Sequence, residues 1–248
     1  MRYEELTMVG RNAVLEAFRA GKTIDRLFIL DGCQDGPIKS ILREAKKSDT
    51  IITFVKKERL DQMSEEGKHQ GVIAYAAAYE YAEVDDILEA AKAKGEAPFL
   101  IILDGIEDPH NLGAMLRTAN QAGAHGIIIP KRRAVGLTAT VAKVSAGAIN
   151  YTPVAKVTNI VATMEELKEK GLWFVCADMS GEVMYRQNLT GPIGLVIGSE
   201  GEGVSRLVKE KCDFVTKIPM VGDIDSLNAS VAMGVLTYEI VRQRSFAK

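Results

Sequence analysis

The sequence predicts an α/β chain in two parts, a small alternating unit followed by a larger, mainly parallel sheet. Three observations point there. Helical and strand-like segments alternate along the chain, the pattern of layered α/β architecture. From Phe99 onward the strands become continuous apolar runs closed by turn residues, as expected for a sheet covered on both faces. The 248 residues, 47% hydrophobic and 26% charged, suffice for one large or two smaller soluble domains.

In the first part, Val9 to Ala20 has helical spacing, with Val9, Ala13, Val14, Ala17 and Phe18 on one side. A strand, Arg26 to Leu30, ends at Asp31-Gly32. Ile38 to Ala45 reads as helix, Ile51 to Val55 as strand, and Gly71 to Ala76 as the last strand. Residues 1–76 form the expected first domain. Residues 77–97 are the expected connection, with a helix from Val84 to Lys94 and a close at Gly95-Glu96-Ala97-Pro98. The stretch is not rich in glycine and serine, so a semi-ordered connection is expected.

Residues 98–248 form the expected second domain. Its strands are Phe99–Leu103, Gly126–Ile129, Trp173–Ala177, Ile193–Ile197 and Phe214–Ile218. Helices over 111–124, 160–170 and 228–243 would cover them. The last of these is apolar most of the way round, from Ala229 through Val241. A helix of that kind is buried on most sides, and a subunit interface would account for the excess.

Composition excludes several classes. No apolar run is long enough to cross a bilayer, and the start, with Arg2, Glu4 and Glu5, lacks the apolar core of a signal peptide. A cytoplasmic protein is expected. Cys33, Cys176 and Cys212 suggest neither a disulfide framework nor a metal pair. His69, His110 and His125 show no ligand spacing, so no metal site is expected. The net charge of −2 rules out a uniformly basic surface, and residues 1–80 hold 13 basic and 13 acidic side chains. Any attraction for nucleic acid must come from local clusters such as Lys46-Lys47, Lys56-Lys57 with Arg59, or Lys131-Arg132-Arg133.

Three segments carry the chemistry. The first is Asp108-Pro109-His110-Asn111-Leu112-Gly113 with Arg117-Thr118-Ala119. The second is Gly198-Ser199-Glu200-Gly201-Glu202-Gly203. The third is Ile218-Pro219-Met220 followed by Ser226-Leu227-Asn228-Ala229-Ser230. Strand ends of an open α/β sheet leave backbone donors free and are where ligands bind. The glycine spacing of the second segment is G-x-x-G-x-G, not the dinucleotide pattern. Its two glutamates would repel a pyrophosphate, so it better frames an uncharged or cationic group. Taken singly, each segment also has a purely structural reading. Asn111 and Asn228 can cap helices, Arg117 can pair with a surface acid, and the glycines can form a tight turn.

Together and in this order, the three segments resemble the motifs of the SpoU/TrmH branch of the SPOUT methyltransferases. Those enzymes methylate ribose 2′-hydroxyls of RNA with S-adenosylmethionine. Val9-Gly10-Arg11-Asn12-Ala13-Val14 and His69-Gln70-Gly71-Val72 resemble the start and end of the family's small ribosomal-protein-like (L30e-like) RNA-binding domain. In length and arrangement the chain is most similar to the 23S rRNA guanosine 2′-O-methyltransferase (RlmB) type. The resemblance implies a trefoil-knotted catalytic domain that forms a homodimer, with its site near the subunit interface. It implies that Gly198, Ile218 and Leu227 help hold S-adenosylmethionine. It places Asn111, Arg117, Glu200, Ser226 and Asn228 at the catalytic site. Arg117 would help activate the 2′-hydroxyl. A guanidinium is essentially always protonated, so electrostatic stabilisation of the alkoxide suits it better than a general-base role.

The alternatives are a tRNA 2′-O-methyltransferase of the same family, a non-catalytic RNA-binding ribosome-assembly factor, and a nucleotide-cofactor oxidoreductase. Intact polar residues at the five catalytic positions weigh against the assembly factor. The glycine spacing weighs against the oxidoreductase.

Overall fold

A computed structural model describes residues 7–64, 67–224 and 226–246. Arg2, Glu4 and Glu5 lie outside the described residues. The chain divides into two compact units, Met1–Glu80 with Gly136–Ala139, and Tyr81–Val135 with Thr140–Lys248.

The first unit runs β1 (Thr7–Val9), α1 (Arg11–Arg19), β2 (Ile24–Leu30), α2 (Gly36–Lys47), β3 (Ile51–Val55), α3 (Lys57–Met63) and β4 (Val72–Ala76). Its sheet order is β1-β4-β2-β3. The β2–β3 pair is parallel, and β4 runs antiparallel to β1 and β2. Val9 belongs to a strand rather than to the helix expected there. Gly10, at φ +94°, breaks the chain between β1 and α1, a backbone that glycine adopts without steric cost. Ala13 is consequently exposed, while Val14 and Ala17 face the core. At the start of α2, the Asp35 carboxylate accepts from the Ile38 N–H at 3.2 Å, and Pro37 sits in the first turn. Val14, Leu27, Ile29, Ile38, Ile41 and Val72 form the core of this unit.

The second unit contains α4 (Val84–Ala93), β5 (Phe99–Asp104), α5 (Pro109–Gln121), β6 (Gly126–Pro130), α6 (Ala139–Val144), β7 (Val154–Val157), α7 (Ile160–Glu169), β8 (Trp173–Val183), β9 (Ile193–Gly198), α8 (Arg206–Glu210), β10 (Phe214–Lys217) and α9 (Ala229–Ser245). Six parallel strands take the order β10-β8-β9-β5-β6-β7. The central strands β5 and β9 are buried along nearly their whole length, which explains their unbroken apolar sequence.

Helix α4 falls in the segment expected to be a connection, yet its Ile87 and Ala91 are buried. A Cβ on Gly126 would lie 2.6 Å from the Ile87 side chain, so the glycine at the start of β6 makes room for α4. Asp108, not Asn111, caps α5, accepting from the His110 N–H at 3.0 Å. Asn111 is thereby left for other work. No helix among the described residues is long and apolar enough to cross a membrane.

Candidate active site

The decisive local feature lies at the carboxyl ends of β8, β9 and β10. Between β8 and β10 the register jumps, from Val215 opposite Cys176 to Thr216 opposite Glu182. The intervening stretch of β8 leaves the ladder, and Ala177, Asp178 and Met179 form one wall of a cavity of about 250 Å³. Gly181 brings β8 back against β10. A Cβ there would lie 2.5 Å from the Val215 carbonyl carbon.

The opposite wall is the loop after β9. Ser199 and Gly203 exchange backbone hydrogen bonds, N–H to O, at 3.1 and 2.9 Å, closing residues 199–203 into a small ring. Gly198 sits beneath this ring. A Cβ on it would lie 1.9 Å from the Gly203 carbonyl carbon and 2.1 Å from the Val204 nitrogen. Only glycine fits such an approach. The Asp104 carboxylate at the end of β5 accepts from the Ser205 N–H at 2.8 Å and anchors the loop's far end.

Of the residues expected at the site, Gly198, Glu200, Ile218, Ser226 and Leu227 line this cavity. Asn111 and Asn228 do not line it, but they join it through Glu200. Glu200 Oε1 accepts from Asn111 Nδ2 at 2.9 Å and from Asn228 Nδ2. Asn228 Nδ2 also donates to Asn111 Oδ1 at 3.0 Å. Asn228 is fixed from the other side as well. Its Oδ1 accepts from the N–H groups of Ser230 and Val231, at 2.9 and 3.3 Å, capping α9. Capping therefore dictates which end of the amide faces Glu200. Residues 89 and 28 positions from Glu200 thus converge on one carboxylate oxygen.

Arg117 stands apart. It is exposed on α5 and has no hydrogen-bond or ion-pair partner among the described residues. The surface ion pair offered as its structural reading is not formed with any described residue. Ser226 is exposed at the cavity rim, also without a side-chain partner among the described residues.

The motifs did not single out Asp178. Lys209, whose ammonium lies 2.8 Å away, and the Ser180 hydroxyl at 2.6 Å hold its carboxyl down at about 2. Asp178 is therefore ionised at neutral pH and fixed in place. Its signal in the sequence was only that it follows an apolar strand. Thr216, Lys217 and Met220 also line the cavity.

Residues 98–238 match the family described as the SpoU rRNA methylase family, and residues 8–82 match the family described as RNA 2′-O ribose methyltransferase substrate binding. The chain belongs to the SpoU rRNA methylase family. It is an RNA methyltransferase of the SpoU/TrmH class. A Bacillus subtilis protein assigned to the TrmH family of tRNA/rRNA methyltransferases is 53% identical over 240 residues, covering 96% of both chains. A Staphylococcus aureus protein with the same assignment is 49% identical over 243 residues, covering 97% of each. Among solved structures, the SpoU methyltransferase AviRb of Streptomyces viridochromogenes, crystallised with AdoMet, superposes with a TM-score of 0.60 at 23% identity, covering 96% of this chain and 90% of its own. The TrmH/SpoU tRNA modifying enzyme of A. aeolicus gives 0.54 at 26% identity, covering 64% of this chain and 84% of its own. The SPOUT architecture of the second unit and the substrate-binding character of the first accord with this membership.

Proposed function

We propose that this SpoU-family chain transfers a methyl group from S-adenosylmethionine to a ribose 2′-hydroxyl of RNA, at a guanosine of 23S rRNA. The observation that carries the reading is the convergence of Asn111, Glu200 and Asn228 at the mouth of the β8–β9–β10 cavity. The cavity suits S-adenosylmethionine by its chemistry. That molecule carries no phosphate, and the G-x-x-G-x-G loop with its glutamates is no phosphate cradle. Ile197, Ile218, Met220 and Leu227 offer apolar surface for an adenine. Glu200 keeps Oε2 free of hydrogen-bond partners among the described residues, a carboxylate available to a positive sulfonium.

Bound S-adenosylmethionine supplies an electrophilic methyl group. The chain's task is to make a weak nucleophile attack it. A ribose hydroxyl must lose its proton or have its developing charge stabilised. Arg117 is assigned the second role. Its unpaired guanidinium is free to meet an alkoxide or a flanking phosphate, with a phosphate or water as proton acceptor. Asn111 and Asn228 hold Glu200 in one orientation, and Ser226 at the rim offers a hydroxyl to the ribose. Arg117 does not line the cavity of its own chain, which fits a site completed by a second copy. The homodimer is therefore part of the proposal, as is a knotted backbone around the cofactor loops. The domain assignment proposed is substrate binding over 1–76, connection over 77–97 and catalysis over 98–248.

The test is transfer of labelled methyl from S-adenosylmethionine to unmodified 23S rRNA and to unmodified tRNA, assayed separately. Label in 23S rRNA alone is expected. Label in tRNA alone would retain the chemistry and replace the substrate, an outcome that relatives assigned to tRNA/rRNA methyltransferases make worth measuring. RNA binding without transfer to either substrate or to a ribosomal precursor would favour the assembly-factor reading.

A further inference from the structure

We propose that the first unit holds an unpaired RNA base in a pocket beside Phe54, with the ring of Phe54 as its stacking platform; this deepens, and rests on, the reading of the chain as an RNA methyltransferase. Phe54 lies opposite Ile29 across the parallel β2–β3 pair. Opposed residues of neighbouring strands point to the same face. Ile29 is wholly buried under the helices, so Phe54 is directed to that same face. Because β3 is the edge strand, no described strand pairs beyond it, and the ring remains 54% exposed.

Beside it is a cavity of about 410 Å³ whose walls include Leu42 and Lys39 of α2 and Asp31 and Gln34 of the β2–α2 loop. Lys39, Asp31 and Gln34 have no side-chain partners among the described residues. A cation, an amide and a carboxylate thus stand unspent around one aromatic face. Their surroundings are held firmly. The Arg11 guanidinium pairs with Asp35 at 2.6 Å and donates to the Gln70 carbonyl at 2.9 Å. The Asp31 N–H donates to the Val55 carbonyl at 2.9 Å, pinning the loop beside β3. The backbone around the pocket is thus tied to α1 and to β3.

A nucleotide matches this arrangement part by part. Unpaired bases are read by stacking on aromatic rings and by hydrogen bonds to their edges. Phe54 and Leu42 supply the apolar faces. Asp31 accepts from an amino or imino N–H, and Gln34 both donates and accepts. Lys39, with Arg43 one turn further along α2, faces the phosphate. The match of residues 8–82 to a substrate-binding family of RNA ribose methyltransferases favours RNA over a peptide as occupant.

The experiment uses the full chain with 23S rRNA and tRNA transcripts. Phe54→Ala is expected to raise KM for the methylated RNA by about 5- to 150-fold, the range of one lost base stack. The turnover number, S-adenosylmethionine affinity and unfolding midpoint should stay unchanged. Lys39→Ala should reduce the salt dependence of RNA binding by about one unit of log–log slope. Phe54→Trp should preserve KM, and the fluorescence of the introduced indole, after subtraction of the wild-type signal, should be quenched by RNA. Transfer that proceeds with unchanged KM in Phe54→Ala and no quenching in Phe54→Trp would overturn the pocket and leave the methyltransferase reading standing. Quenching by RNA without methyl transfer would support the pocket and overturn that reading. No RNA binding at all would overturn both.

Discussion

At the scale of single residues, Glu200 is the junction. One of its carboxylate oxygens receives both asparagine amides, and the other is left for a ligand. Arg117 lies outside that cluster, exposed and with no partner among the described residues, and the proposed mechanism gives it a separate part. Arg117→Ala should leave the dissociation constant for S-adenosylmethionine unchanged and lower turnover by about 10²- to 10³-fold, the usual loss on removing one preorganised group facing developing charge. Isothermal titration and a methyl-transfer assay measure the two quantities; equal loss in both would remove Arg117 from the chemistry. The sequence offered these residues as candidates because each falls in one of the three segments that resemble the family's motifs. Their contacts were not, because hydrogen bonds spanning 89 and 117 residues are made by the sheet order and not by local spacing. Asp178 escaped notice for a related reason: its partners, Ser180 and Lys209, meet it only after β8 leaves the ladder.

At the scale of elements, the cavity exists because two strands pass unusually close to other backbone. Gly198→Ala would force its Cβ into the Gly203–Val204 peptide. It should destabilise the protein by about 1–3 kcal/mol and abolish S-adenosylmethionine binding, as read by thermal unfolding with and without the ligand. At the far end of β5, His125 fixes the strand's start. Its Nδ1 accepts from the Phe99 N–H at 3.0 Å, so Nε2 carries the proton toward Glu96. Burial lowers the His125 pKa below the ordinary imidazole value near 6.5, although Glu96 opposes the shift. The unfolded chain therefore takes up its proton first as pH falls. This contribution to stability is complete above about pH 6.5 and is lost as pH drops through the lowered folded value. Unfolding midpoints from pH 8 to pH 5 should show this decline in the wild type and a shallower one in His125→Gln. Apolar strands and helical periodicity were legible because their cues are local; the cap of α5 was misplaced, since Asp108 and not Asn111 supplies it. The four-residue β7 and three-residue β1 were not expected, because short strands are decided by their partners in the sheet.

At the scale of the whole molecule, α9 carries more apolar surface than its own unit covers. Met233, Leu236 and Ile240 are buried, while Val231 and Tyr238 remain half exposed. If that face meets a second copy, light scattering should give twice the 27.0 kDa chain mass. Val231→Glu should then yield monomers with intact helical content and little turnover. A wild-type monomer that methylates RNA at full rate would place Arg117 at its own chain's cavity instead. The near-balanced charge of the first unit was legible as a need for local recognition. The pocket beside Phe54 was not, since it depends on β3 being an edge strand. The most direct measurement of the central claim is the chemical position of the transferred methyl. RNA labelled by this protein from S-adenosylmethionine should give, on alkaline hydrolysis, label in an alkali-resistant dinucleotide, the signature of a blocked 2′-oxygen. Label released in mononucleotides, with the methyl on a base, would contradict the account.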